Sequence, residues 1–149
     1  SYHNLGILQA SQQRTQEAIK NLEKLIELQP ENPEHYLNLG TTYYLEGSYY
    51  ESELFFSKVL EIDNDHPDAL FNLGKLLFNM ERTEEAISRI ERFHSIERSN
   101  TEAMLILGIC FHKMNDNKTA QLYWEKALDV DPDYQEARNM LKKLNESNA

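Results

Sequence analysis

Several features that would indicate other classes of protein are scarce in this sequence. Cys110 is the only cysteine, which excludes an internal disulfide and fits a reducing compartment, so we expect a cytoplasmic location. Pro (4) and Gly (5) are few, which favours helices over turn-rich sheets. The densest apolar run, residues 104–111, is far shorter than a membrane span and contains Gly108. Direct insertion into a membrane is therefore not expected.

Positive charge is also in short supply. The chain has 15 Lys and Arg against 25 Asp and Glu, a net charge of −10. A nucleic-acid-binding protein needs clustered cations to replace the counterions of phosphates, so no nucleic-acid partner is expected. Residues 33–66 hold one Lys and seven acids, including Glu51 and Glu53. This acidic stretch is either a solvated face or a docking surface for a basic partner.

Patterns that carry chemistry are missing as well. The five histidines are His3, His35, His66, His94 and His112. They form no H-x₃-H pair or Cys/His cluster, so no metal site is expected. Cys110 lies outside any nucleophile motif, and the glycines are spread singly rather than in a phosphate-binding loop. We expect neither a cofactor nor enzymatic activity.

What the sequence does contain is a repeat. Four glycines, each preceded by leucine, recur at intervals of 34, 34 and 34 residues: Gly6, Gly40, Gly74 and Gly108. Twelve residues after each glycine stands a small residue, in order Ala18, Ser52, Ala86 and Ala120. Four residues later stands a bulky one, in order Leu22, Phe56, Ile90 and Trp124. Agreement of period, spacing and residue size excludes coincidence.

The glycines indicate close helix packing. Apolar residues recur at helical spacing around each repeat glycine and again around each small residue. This predicts two amphipathic helices per repeat. Glycine inside a helix costs about 1 kcal/mol relative to alanine, so its recurrence indicates close approach of the partner helix. The predicted helices are 1–12 and 15–29, 33–46 and 49–63, 67–80 and 83–97, 101–114 and 117–131, and 135–146.

The spacing resembles that of the tetratricopeptide repeat family, whose pattern is W-x₂-L-G-x₂-Y, A-x₃-F and P. The second repeat matches it with Tyr36, Leu39, Gly40, Tyr43, Ser52 and Phe56, and the fourth with Met104, Leu107, Gly108, Phe111, Ala120, Trp124 and Pro132. The resemblance implies an all-α fold, an α-solenoid of four helix-turn-helix repeats in a right-handed superhelix. A single domain over 1–149 is expected, with repeats 1–32 (truncated), 33–66, 67–100 and 101–134 and a capping helix over 135–146.

The resemblance also implies a binding surface, because the first helix of each hairpin lines the concave face in this family. Asn4, Asn38 and Asn72 share one repeat position, and their amides could hold a peptide backbone. The other expected groove residues are Leu37, Thr41, Tyr44, Phe71, Lys75, Phe78, Leu105, Ile109 and His112. We expect a protein partner that supplies an apolar or aromatic-bearing segment, which could also be basic. Some rings could instead fold back into the hairpin core.

The sequence departs from the pattern of one specialised role in the family. The positions that hold acidic chaperone C-termini in some members lack their cations here, because Asp68 and Glu102 occupy two of them. The leading hypothesis is a protein-interaction module. The alternatives are a dedicated chaperone for a secreted or assembling client, and a scaffolding or self-association domain that uses an open N-terminal repeat.

Overall fold

A computed structural model describes the backbone of residues 2–148 and the side chains of residues 10–147. All regular secondary structure in that part of the chain is α-helical. The eight helices are α1 (Tyr2–Leu28), α2 (Pro33–Leu45), α3 (Tyr49–Ile62), α4 (Pro67–Asn79), α5 (Thr83–Ile96), α6 (Thr101–Lys113), α7 (Asn117–Val130) and α8 (Gln135–Asn148). The predicted all-α solenoid of helix-turn-helix repeats is confirmed. Its right-handed superhelical twist and the single domain over 1–149 stay predictions.

The prediction of a helical hairpin in the first repeat is wrong. Helices were expected over 1–12 and 15–29, but α1 runs without interruption from Tyr2 to Leu28. The turn would have fallen at Gln13 and Arg14, which are both good helix formers. Because no Gly, Asn or Pro interrupts this stretch, local propensity favours one long helix. Gly6 therefore lies in the same helix as Leu22 rather than opposite it across a turn.

The other hairpin turns share one backbone conformation. A residue in the left-handed region follows α2, α4 and α6, with φ of 77° at Gly47, 61° at Glu81 and 64° at Asn115. The next amide donates to a carbonyl five residues back in each case, as Ser48 N does to Tyr43 O at 2.9 Å. This arrangement satisfies carbonyls that a helix end would leave unpaired, and it reverses the chain within three residues.

Within the hairpins, the repeat glycines are sites of close helix contact. A Cβ placed on Gly40 would lie 2.7 Å from the Phe56 ring, and Gly74 and Gly108 would collide more severely with Ile90 and Trp124. The small residue behind the contact is fully buried in each hairpin. Ser52, the polar one, donates its hydroxyl to the Gly40 carbonyl at 2.8 Å. The packing role predicted for these glycines is confirmed.

The first helix of each repeat from α2 onward has a side-chain cap at its N-terminus, and these caps recur every 34 residues. The side chain of Asn32 accepts from Glu34 N at 3.0 Å, and that of Asn100 accepts from Ala103 N at 2.9 Å. His66 stands midway between Asn32 and Asn100 in the sequence. Its Nδ1 accepts from Ala69 N at 3.3 Å, and its Nε2 lies 3.0 Å from Glu34 Oε1. A side-chain acceptor thus satisfies an orphan amide at the start of α2, α4 and α6.

The chain divides into two compact units, residues 1–69 and residues 70–149. In the first unit, α2 packs between α1 and α3 around buried residues such as Tyr36, Leu39 and Phe56. In the second, a cluster of buried side chains joins α6, α7 and α8, centred on Trp124. None of the described helices has both the length and the apolar character needed to cross a membrane.

Candidate functional site

Two helices of the second unit present their expected binding positions side by side. Lys75 Nζ of α4 lies 3.7 Å from Glu102 Oε1 of α6. Lys113 Nζ of α6 lies 4.9 Å from the centroid of the Phe78 ring of α4. These two contacts join the helices along one surface, and we call Asn72, Lys75, Phe78, Ile109 and Lys113 the α4–α6 face.

Lysine side chains lie over the two aromatic rings of α4. Lys75 Nζ also lies 4.5 Å from the centroid of the Phe71 ring, and that ring stacks on Phe93 of α5 with centroids 4.5 Å apart. An ammonium group over a ring contributes about 0.5–1 kcal/mol at an exposed site. The α4–α6 face therefore places two lysines beside aromatic rings, and one of them, Lys75, is paired with Glu102.

Asn72 is a polar residue of the α4–α6 face whose side chain is not used in a hydrogen bond within the described part of the chain. That side chain is half-buried. It stands three residues before Lys75, which makes the two neighbours on the helix surface. An amide in this state offers both a donor and an acceptor to an incoming group.

In the first unit, α2 carries the corresponding positions. Asn38 is exposed, and its amide likewise has no hydrogen-bond partner among the described residues. Thr41 is exposed and donates its hydroxyl to the Leu37 carbonyl at 3.0 Å, while the half-buried Tyr44 ring lies 5.6 Å from Tyr49. Leu37 was expected to face solvent, but only 7% of its surface is exposed. That expectation is corrected, because Leu37 packs as a core residue.

Several other expected groove residues are partly committed to the core. Phe71 folds back onto Phe93, which is the alternative that the sequence left open. Leu105 and Ile109 are half-buried and pack against the Trp124 cluster, and the Leu105 carbonyl accepts the Trp124 indole N–H at 3.2 Å. His112 is exposed, with Nδ1 2.8 Å from Asn117 Oδ1. Asn4 lies outside the residues whose side chains the structure describes.

Sequence analysis missed two contributors to this geometry. Lys113 occupies the thirteenth repeat position, a concave-face position in the family, and it covers the Phe78 ring. That repeat position alone could have identified Lys113 as a candidate binding residue. His66 was treated as a scattered histidine, although it stands 34 residues after Asn32 and 34 before Asn100, the two residues that cap α2 and α6.

Groups suited to catalysis or metal binding do not converge in this region. Among the described residues, no three His, Cys, Asp or Glu side chains are arranged to hold a metal ion. Burial raises the pKa of the Cys110 thiol to about 11, so the thiol is protonated at neutral pH and a poor nucleophile. Cys110 is a buried packing residue of α6.

Comparison with known families decides the kind of protein. The family model described as anaphase-promoting complex, cyclosome, subunit 3 matches residues 11–93, and the model described as tetratricopeptide repeat matches residues 102–148. The chain belongs to the tetratricopeptide repeat family. Tetratricopeptide domains are protein-interaction scaffolds, so this chain has the architecture of an interaction module. No curated protein sequence matches it.

Solved tetratricopeptide structures share the fold at low sequence identity. A crystal structure of MamA is 22% identical with a TM-score of 0.85, and the match covers 93% of this chain and 81% of that one. MamA from Desulfovibrio magneticus RS-1 is 20% identical with a TM-score of 0.85, covering 99% and 83%. The first tetratricopeptide domain of Spaghetti, bound to the HSP90 peptide SRMEEVD, is 23% identical with a TM-score of 0.72, covering 77% and 91%. These likenesses concern the fold.

Proposed function

We propose that this chain is a protein-interaction module that binds an extended segment of a partner protein along the first helices of its repeats. The observation that carries the proposal is Asn72. Its half-buried side chain has no hydrogen bond among the described residues, and it neighbours Lys75, whose Nζ lies 4.5 Å from the centroid of the Phe71 ring. An amide that is not used within the fold can exchange its contacts with water for a donor and an acceptor pairing with a peptide backbone.

The chemistry of the α4–α6 face indicates the kind of segment. Phe78 is half-buried with Lys113 Nζ 4.9 Å from its ring centroid, so it offers a partner side chain an aromatic edge beside a cation, while Asn72 can pair with one peptide group as both donor and acceptor. Recognition by an amide reads the backbone of the partner, and recognition by a ring reads an apolar or aromatic side chain. Exposed Asn38 offers the same backbone pairing on α2. An extended segment with an apolar anchor fits these groups best.

The experiment starts from a random linear-peptide library displayed on phage and selected against the wild-type protein. Selected peptides are then measured by fluorescence anisotropy against Asn72→Ala, Asn38→Ala and the double variant. Each lost amide pairing should weaken binding by about 1 kcal/mol, so the double variant should bind roughly tenfold to a hundredfold more weakly. Because alanine is the better helix former, the melting temperature should hold or rise.

Asn21→Ala is the matched control. Asn21 is an exposed asparagine on α1 without a hydrogen bond among the described residues, so it shares the helix effect but lies outside both binding surfaces. Selected peptides that bind the double variant and wild type equally would reject the proposed mechanism.

A further inference from the structure

A cleft on the second unit, away from the α4–α6 face, has an unusual set of side chains. It lies where the ends of α5 and α7 meet over α6, and its volume is about 370 Å³. That size lies within the range of small-ligand sites. The principal lining residues are His94, Arg98, Met104, Lys126, Asp129 and Val130.

The cleft concentrates cations in a chain that has few. Arg98 and Lys126 both line it, and neither forms an ion pair with a carboxylate among the described residues. Lys126 Nζ instead lies 5.3 Å from the centroid of the Tyr123 ring. Asp129 is the acid of the lining. With His94 neutral, the formal charge of the lining is +1, while the whole chain carries −10.

His94 adds a directed donor to this positive lining. Its ring meets Tyr123 edge-on at 5.8 Å, and its Nδ1 is buried without a hydrogen-bond partner among the described residues. Burial lowers the pKa of His94, as do the charges of Lys126 and Arg98, so the ring is neutral at neutral pH. An enclosed Nδ1 without an acceptor is better left unprotonated, which places the ring proton on Nε2.

Apolar surface lies beside the charges. Met104 of α6 is almost fully buried under the cleft, and Val130 at the end of α7 is 47% exposed. A ligand held here would meet two cations and an N–H donor together with a thioether and an isopropyl group, beside the carboxylate of Asp129. A lining charge of +1 matches a monoanion better than a dianion, because a dianion would leave one charge uncompensated.

We propose that this cleft binds a carboxylate carried next to an apolar chain. Arg98 and Lys126 supply the charge-assisted contacts, His94 Nε2–H donates to a carboxylate oxygen, and Met104 and Val130 contact the apolar chain. Two sources have this chemistry, namely a small aliphatic acid and the C-terminal residue of a polypeptide. The proposal concerns a different surface from the peptide-binding positions of α2, α4 and α6.

The test is an NMR titration that follows the His94 ring resonances. The probes are 4-methylpentanoate, its neutral amide, inorganic phosphate, and the tripeptide acetyl-Gly-Ala-Leu with a free or amidated C-terminus. We expect 4-methylpentanoate to shift the His94 resonances saturably and to raise the His94 pKa, because a bound anion favours the imidazolium. The two amides should leave the resonances unchanged. Tighter binding of the free tripeptide than of 4-methylpentanoate would identify a polypeptide C-terminus as the source, and equal or weaker binding a small acid.

Variants separate the cleft from general charge effects. R98Q and K126Q should each weaken binding of 4-methylpentanoate about fivefold, as expected for a partly exposed charge pair. K118Q removes one charge from the exposed start of α7, outside the cleft, and should bind like wild type. In the free protein, R98Q and K126Q should also raise the His94 pKa, which verifies that the folded cleft is intact. The proposal is overturned if 4-methylpentanoate leaves His94 unmoved, if the amides bind equally well, or if phosphate binds in preference.

Discussion

Each hairpin from α2 to α7 contains residues whose identity is set by backbone geometry rather than by polarity. One is the glycine of the first helix, which makes room for Phe56, Ile90 or Trp124 of the second. Another is the left-handed turn residue, which is Gly47 once and a non-glycine residue twice, Glu81 and Asn115. The helix glycine is required for space, whereas the turn residue is required for its φ angle, so the two should tolerate substitution differently.

Gly108→Ala should destabilise the protein. The added methyl group would overlap the Trp124 indole, a rigid side chain that is only 2% exposed and cannot move aside. Overpacking of a tight contact costs about 1–3 kcal/mol, and the change should appear as a lower midpoint in urea denaturation.

Gly47→Asn is the control for that substitution. A Cβ at Gly47 would meet nothing within 4 Å, and asparagine tolerates the left-handed region that the φ of 77° requires. Its free energy of unfolding should stay within about 0.5 kcal/mol of that of the wild type, so its urea midpoint should hardly change. An unchanged midpoint for Gly108→Ala would mean that the α6–α7 contact is looser than the structure has it.

Among the elements, α1 behaves unlike the three hairpins that follow it. The repeat pattern of Gly6, Ala18 and Leu22 predicted a turn near Gln13, yet the helix continues through it. At the corresponding positions, Gly47 and Asn115 tolerate positive φ, and Glu81 adopts it within a packed hairpin. A repeat pattern reports which contacts a hairpin would make, but the turn forms only if those contacts outweigh local helix propensity.

A distance measurement distinguishes one long helix from a hairpin. Spin labels at positions 4 and 23, in a Cys110→Ala background, should lie about 28 Å apart, since nineteen residues of helix rise about 1.5 Å each. Two antiparallel helices of a hairpin would bring those positions to within about 10 Å. A pulsed electron-resonance distance distribution centred at the short value would restore the hairpin that the sequence predicted.

Most of the fold could be predicted from the sequence because it repeats. The six helices α2 to α7 begin at the predicted residues and end one residue early, because the 34-residue period carries the same boundaries from one repeat to the next. The candidate site was harder to predict. Phe71 and Phe78 share a helix face in the sequence, but only the structure shows that Phe71 stacks on Phe93 and that Lys113 covers Phe78. Such contacts depend on which helix lies alongside, and periodicity alone does not specify it.

At the scale of the whole chain, the two compact units suggest a test of independent folding. A fragment of residues 63–149 keeps the His66 cap of α4, the Gly74–Ile90 contact and the Trp124 cluster. We expect it to show helical circular dichroism and a cooperative thermal transition, because repeat proteins are stabilised by contacts between neighbouring repeats.

The matched comparison is a fragment of residues 33–66, which contains a single hairpin. It should be largely unfolded, since one repeat cannot bury its apolar face alone. If the longer fragment is also unfolded, the second unit depends on residues 1–62, and the division into units does not describe folding.

The position of Trp124 decides what optical spectroscopy can report about this protein. It is the only tryptophan, it is buried, and its indole N–H donates to the Leu105 carbonyl across the α6–α7 hairpin. Its emission wavelength is therefore a local signal for opening of that hairpin, while far-ultraviolet circular dichroism averages over all helices. An array that frays from its N-terminal end would lose ellipticity before its fluorescence shifts to the red. A lag between the two signals would show that the α6–α7 hairpin opens after the other helices unfold, without an introduced label.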